Sequence, residues 1–167
     1  MVKPIKISVI TPTRGRPDAL RKALDSLYSK CSDPELLEFI LRIDDDDVIS
    51  ADAIKLFPYP NITVITGKRL EGYGSLHVFI DEMCRISKGD LIFCYGDDSE
   101  MLTQNWDIPL CPYFNKICIL KLQHSWDMES RSIVYFVVHK KVFDILGHIS
   151  LNAHSDTWLE VVGYGSG

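Results

Sequence analysis

The sequence predicts an α/β protein built on a mostly parallel sheet with helices on both faces. Apolar, β-branched runs alternate with amphipathic runs along the chain, the rhythm of strand–helix–strand units. The run Leu91 to Tyr95 has no polar alternation, as in a central strand covered on both faces. Polar clusters at Thr13/Arg14, Asp44/Asp45 and Asp97/Asp98 directly follow apolar strands, at the carboxyl ends where such sheets bind ligands. The 167 residues suit a single domain, 1–167, long enough to bury its own core.

Ile5 to Thr11 reads as the first buried strand. The loop Thr11-Pro12-Thr13-Arg14-Gly15-Arg16 leads to a helix from Pro17 to about Lys30, with Leu20, Leu24 and Leu27 on one stripe. Pro17 suits a first helical turn, and Asp18 complements the positive helix start. Glu38 to Ile43 forms a second strand and ends in four aspartates. Ser50 is placed to cap a short helix through Leu56. Ile62 to Thr66 is a third strand, and Leu76 to Ser87 a helix with Leu76, Phe79, Ile80 and Met83 on one face. After Leu91 to Tyr95, residues 101 to 115 read as irregular. Ile117 to Leu122 and Ile133 to Val138 are further strands. Helices at Lys140 to Leu146 and about Ser155 to Val162 complete the pattern, with a flexible glycine-rich tail from Gly163.

A formal net charge of -5 argues against a nucleic-acid binder. No apolar run approaches the roughly 18 residues that span a bilayer, and the first residues are too weakly apolar for a secretory signal, so a cytoplasmic protein is expected. Five cysteines without a C-x-x-C pair read as mostly buried free thiols.

Three constellations carry chemistry. The first loop joins a strand to a helix start and can present N–H groups and an arginine to phosphate, yet it matches neither GxxxxGK[ST] nor GxGxxG. In Asp44-Asp45-Asp46-Asp47, turn formation and helix capping account for Asp46 and Asp47, and one or two of the others can face a ligand. The spacing excludes an EF-hand. In Gly96-Asp97-Asp98-Ser99-Glu100, carboxylates after a central strand suit a hard cation such as Mn²⁺ or Mg²⁺, although Asp-rich turns are also common. In His154-Ser155-Asp156, Asp156 is either a helix cap or a general base. The histidines show no metal-ligand spacing.

In this order, ISVITPTRGRPDALRKALDSL, FILRIDDDD, KGDLIFCYGDD and VVHKKVFDILG followed by HSDTWL resemble the GT-A glycosyltransferases, in particular the inverting family 2. The resemblance covers nearly the whole chain. It implies a GT-A fold, a nucleotide-sugar donor with UDP favoured, a hydroxyl acceptor and a divalent cation. It implies that Pro12 and Arg14 line the base, with Thr13 beside them. It implies that Asp45 of the pair Asp44/Asp45 reads a uracil-type base. Asp97 and Asp98 match the last two positions of D-x-D, with Asp98 the metal ligand. Asp156 matches the acceptor base. The chain departs from the pattern at Gly96, which stands at the first D-x-D position. An alternative frame takes Asp98-Ser99-Glu100 as the acidic pair. Gly72 stands where a phosphate-contacting arginine is expected, and Lys68 or Arg69 substitutes. The chain also ends soon after the acidic helix, as a minimal or truncated domain would.

The expected reaction is metal-assisted transfer of a sugar to a hydroxyl with inversion. One rival is a non-catalytic relative that binds a nucleotide or sugar as an interaction module. A second is a sugar-phosphate nucleotidyltransferase, whose glycine-rich opening signature is missing.

Overall fold

A computed structural model gives the structure of the protein and describes residues 5–122 and 135–165. The strands are β1 (Ile7–Pro12), β2 (Leu37–Asp44), β3 (Ile62–Gly67), β4 (Leu91–Cys94), β5 (Ile119–Lys121) and β6 (Phe136–His139). They form one sheet in the order β3-β2-β1-β4-β6-β5. The pairs β1–β2, β1–β4 and β2–β3 are parallel. β6 is the exception and runs antiparallel to both β4 and β5. The helices are α1 (Pro17–Lys30), α2 (Val48–Ile54), α3 (Leu76–Ile86), α4 (Lys140–Leu146) and α5 (Ser155–Gly165). The expected strand start at Ile133, His124 and the last two residues of the tail lie outside the described residues.

Alternation along each strand divides the core in two. Ile7 and Val9 of β1 and Phe39 and Leu41 of β2 point to the α1 face, where Leu20, Leu24 and Leu27 cover them. Ile10 and Ile40 point to the opposite face, against Ile80, Met83 and Cys84 of α3. The 3.6-residue stripes of α1 and α3 therefore meet opposite sides of one sheet. Counting by two from Ile40 places Arg42 and Asp44 on the α3 face, at the carboxyl end of β2. Residues 101–115 close the α1 face: Trp106 packs on Phe93 at 5.6 Å between ring centroids and donates its Nε1–H to the carbonyl of Leu27 at 2.9 Å.

Several expectations change. α5 runs on to Gly165 where a flexible tail was expected from Gly163, and Ile108–Tyr113 form a 3-10 helix within the stretch read as irregular. α2 begins at Val48 and is capped by Asp47, whose carboxylate accepts the N–H of Ser50 at 3.2 Å. Ser50 is therefore inside the first turn, and its hydroxyl instead accepts the N–H of Gly15 at 3.2 Å. All five cysteines are free, with Cys31 and Cys84 buried, Cys94 and Cys118 half-buried and Cys111 exposed. Among the described residues, no helix is long and apolar enough to cross a membrane.

Asp81 is the charged group that α3 buries beside its apolar stripe. Burial raises its carboxyl above the ordinary range, against the N–H of Ile149 at 2.8 Å and the charges of Arg85, His148 and His77. A raised acid holds its proton longer in the folded than in the unfolded chain. Its contribution to stability is full below the unfolded value and is lost as pH rises through the folded value. Asp81→Asn keeps an acceptor for Ile149 and removes this loss. Relative to wild type, the variant should gain stability between pH 4 and pH 7, read from denaturant midpoints at the two pH values. An unchanged difference would refute the burial account.

Candidate functional site

The chain crosses from one side of β1 to the other between β3 and β4, so β1 and β4 are neighbours that lead in opposite directions. Ligands of open α/β sheets bind outside the carboxyl ends at such a switch point. Here a cavity of about 410 Å³ opens at that place. Pro12, Thr13, Arg14 and Arg16 enter it from the loop after β1, and Arg42 and Asp44 from β2. Arg69, Gly72 and Tyr73 enter from the loop after β3, and Tyr95, Gly96 and Asp97 from the end of β4. Four arginines and two aspartates thus share one small cavity, walled on the α3 side by Leu76, Phe79 and Ile80.

The loop after β1 is shaped by Gly15. Its φ of +65° lies in the left-handed region that glycine adopts without strain. That turn aims its N–H at Asp47 Oδ2, 2.8 Å away, and ties the loop to the start of α2. Arg14 can then reach the β2 end, where Nη1 lies 2.8 Å from Asp44 Oδ2. The same guanidinium meets Asp46 with both nitrogens. The hydrogen bond from Arg14 holds the Asp46 carboxyl below its ordinary range.

Asp44 is held from its other side by Arg42, whose Nη1 bonds Asp44 Oδ1. Arg42 is only 2% exposed. Its guanidinium lies 3.9 Å from the centre of the Phe79 ring, and Nε reaches Glu82 Oε2 at 3.4 Å. A Cβ at Gly67 would stand 3.0 Å from Arg42 Nη2, so glycine there makes the room. The next loop carries its own strain: Leu70 has a φ of +52°, a left-handed value that is costly for a branched side chain. It places Arg69 on the cavity.

Asp97 is 3% exposed and ties β1 to β4. Thr13 Oγ1 donates to Asp97 Oδ2 at 2.6 Å, and Arg16 Nη2 lies 2.7 Å from Oδ1. Burial raises the Asp97 carboxyl, and Thr13 and Arg16 act against it. Asp98 next to it has a side chain 62% exposed and meets Arg16 Nη1 at 3.1 Å.

The structure brings Pro12, Thr13, Arg14, Asp44, Arg69 and Asp97 around one cavity. Asp98 is outside that lining: it meets Arg16, which does line the cavity, but itself lines the neighbouring groove against α1. Asp45 is not brought in: it follows the last residue of β2, is exposed, and donates its N–H to the carbonyl of Gly67 at 2.8 Å. Asp156 also stands apart from the lining, in the first turn of α5, where its Oδ1 accepts the N–H of Thr157 at 2.7 Å. Glu100 faces a different groove, against α1, 3.8 Å from Lys30. Sequence reasoning missed Arg42 and did not nominate Arg16, Tyr73 or Tyr135. The signal for Arg42 was present: a charge inside the apolar run FILRI.

Among the described residues, no three His, Cys, Asp or Glu side chains form a group able to hold a metal ion by themselves. A Mg²⁺-type cation needs fewer, since it commonly takes one or two carboxylates and completes its shell with phosphate oxygens and water. An exposed carboxylate such as Asp98 is the kind of hard oxygen donor such an arrangement uses. The donor set fits a divalent cation that arrives with a diphosphate.

No protein-family model matches the chain, and no curated protein sequence matches it. Solved structures do. The mannosyltransferase PcManGT from Pyrobaculum calidifontis, in complex with GDP-Man and Mn²⁺, matches with a TM-score of 0.72 at 13% identity, over 97% of this chain and 55% of that one. TarS from S. aureus, in complex with UDP-GlcNAc, matches with a TM-score of 0.70 at 12% identity, over 96% of this chain and 53% of that one. The 4-diphosphocytidyl-2C-methyl-D-erythritol synthase from Anaerococcus prevotii matches with a TM-score of 0.56 at 17% identity, over 85% of this chain and 74% of that one. The chain spans about half the length of the first two. At these identities the likeness is one of architecture, and it agrees with the switch-point sheet: the chain has the GT-A fold.

Proposed function

We propose that this chain binds a nucleotide-diphosphate sugar, UDP-linked by preference, and transfers the sugar to an acceptor hydroxyl with inversion. The observation that carries the reading is the switch-point cavity with four arginines and two aspartates. Arg is the side chain best matched to phosphate geometry, and a diphosphate would draw on these guanidinium groups in competition with their present carboxylate partners. Pro12, Thr13, Arg14 and Asp44 are proposed to hold the nucleoside end, and Arg69 to meet phosphate. Asp97 is proposed to fix the ribose side through its tie to Thr13. Asp45, exposed beyond β2, is proposed as a reader of the base edge from outside the lining. Two of the matched solved structures hold sugar nucleotides, GDP-Man in one and UDP-GlcNAc in the other.

In this reading Asp98 holds Mn²⁺ or Mg²⁺. The cation supplies neutralisation of the charge on the departing diphosphate. Asp156 takes the proton of the acceptor hydroxyl as that oxygen bonds the anomeric carbon. The bond from that carbon to the phosphate oxygen breaks, and its electron pair leaves with the diphosphate.

The test is a titration of UDP and GDP followed by thermal shift and calorimetry, with and without Mn²⁺. UDP should bind, and more tightly with Mn²⁺. Asp98→Ala should remove the Mn²⁺-dependent part of UDP binding and leave the melting temperature of the free protein unchanged. Failure of both nucleotides to bind would defeat the reading. Binding without transfer to any acceptor would favour the interaction module.

A further inference from the structure

Asp97 and Asp98 are adjacent carboxylates on the turn after β4, and like charges this close oppose each other's ionisation. One side chain relieves both. Arg16 divides its guanidinium between them, with Nη2 2.7 Å from Asp97 Oδ1 and Nη1 3.1 Å from Asp98 Oδ2. The other oxygen of Asp97 is taken by Thr13. The two contacts differ in access to solvent. Asp97 is buried, so its pair with Arg16 is the anchored one. Asp98 and Arg16 are both more than half exposed, so their contact is the one that ions reach and salt screens. Arg16 stands immediately before α1, its carbonyl accepting the N–H of Leu20 at 3.0 Å, so the side chain swings from a fixed base.

We propose that Arg16 is a built-in competitor for the cation position. In the free protein its guanidinium is the counter-ion of the acidic pair, and a divalent cation takes Asp98 by displacing it. A diphosphate arriving with the cation offers the displaced guanidinium a new anionic partner within the same cavity. Cation and nucleotide then bind cooperatively, and the cation alone binds weakly. The inference rests on the donor reading for the identity of the second ligand.

Its test uses the metal alone. Mn²⁺ binding to the intact protein is followed by electron paramagnetic resonance for wild type, Arg16→Ala, Arg16→Gln and Asp98→Asn, with no nucleotide present. Removing the guanidinium should tighten Mn²⁺ binding by roughly 1.5–5-fold, the worth of one exposed ion pair. Arg16→Gln guards against a folding defect in the alanine variant. Asp98→Asn should abolish the site. Unchanged or weaker Mn²⁺ binding in both Arg16 variants would overturn the proposal, as would Mn²⁺ binding that survives Asp98→Asn. A parallel UDP titration separates the two readings. UDP binding with unaltered Mn²⁺ affinity sinks the Arg16 inference alone. Tighter Mn²⁺ binding in the variants without any UDP binding sinks the donor reading and leaves the competition at Asp98 standing.

Discussion

Arg42→Ala should lower folding stability by about 3–5 kcal/mol, the cost of breaking a buried ion pair from one side. Arg42 lies on β2 with almost no exposure, and three kinds of partner depend on it. Asp44, only 6% exposed, loses one of its two guanidinium partners and keeps Arg14 alone. Glu82 loses its charge partner on α3. The Phe79 ring loses the cation stacked on its face. Arg42→Met separates charge from volume. It fills most of the space, so a loss nearly as large would show that the orphaned carboxylates dominate. The double variant Arg42→Met/Asp44→Asn should recover a good part of the loss, because the uncompensated charge goes with it. Such coupling between contacting residues typically amounts to about 0.5–3 kcal/mol. Denaturant midpoints for wild type, Arg42→Met, Asp44→Asn and the double variant give the cycle. A single-variant cost under about 1 kcal/mol would mean that Arg42 is solvated in solution and does not brace the β2 end.

The same residue shows where the sequence was legible and where it was not. Strands and helices were readable because apolar spacing of two and of 3.6 leaves a trace in every window, and the six strands and five α-helices among the described residues follow from it. Arg42 was visible as a charge in an apolar strand with Asp44 two residues on, but its other partners, the carbonyl of Lys68, the Phe79 ring and Glu82, lie 26 to 40 residues away and no local pattern points to them. The choice between Asp44 and Asp45 was within reach. Period-two counting from the buried Ile40 puts 42 and 44 on one face and leaves 45 past the strand end. The acidic run hid this, because four identical residues give no internal reference. Ser50 was a reasonable cap by type, but the capping role read for the end of the acidic run is the one that holds, at Asp47, one residue before the helix. The antiparallel insertion of β6 between β4 and β5 had no signal, since a four-residue apolar strand reads the same in either direction. The bridge of Thr13 and Arg16 to Asp97 joins segments more than eighty residues apart, and only the parallel pairing of β1 with β4 brings them together.

Asp156→Asn should lower sugar transfer by about 10²–10⁴-fold, the usual contribution of general acid–base catalysis, and leave UDP affinity nearly unchanged. The substitution is chosen for what it preserves. In the first turn of α5 the Asp156 carboxylate accepts the N–H of Thr157 through Oδ1, and an asparagine carbonyl can accept that same bond. The helix is otherwise held by Leu159, fully buried, and by Trp158 packed edge-on against His148 at 5.1 Å. The stability of the asparagine variant should therefore stay within about 0.5 kcal/mol of wild type. What it loses is the ability to take a proton. Asp156→Ala removes the local bond as well and should cost about 0.5–1.5 kcal/mol more, the net worth of one hydrogen bond. The two substitutions together separate the roles. Transfer is measured as UDP released from a UDP-sugar in the presence of mono- and disaccharide acceptors, and binding as UDP affinity without acceptor. A base gives an asparagine variant that folds, binds UDP and does not transfer. A helix-start residue gives an asparagine variant indistinguishable from wild type and an alanine variant that is merely less stable. In that second case the proton of the acceptor must be taken by another group, and Asp156 has no part in the chemistry.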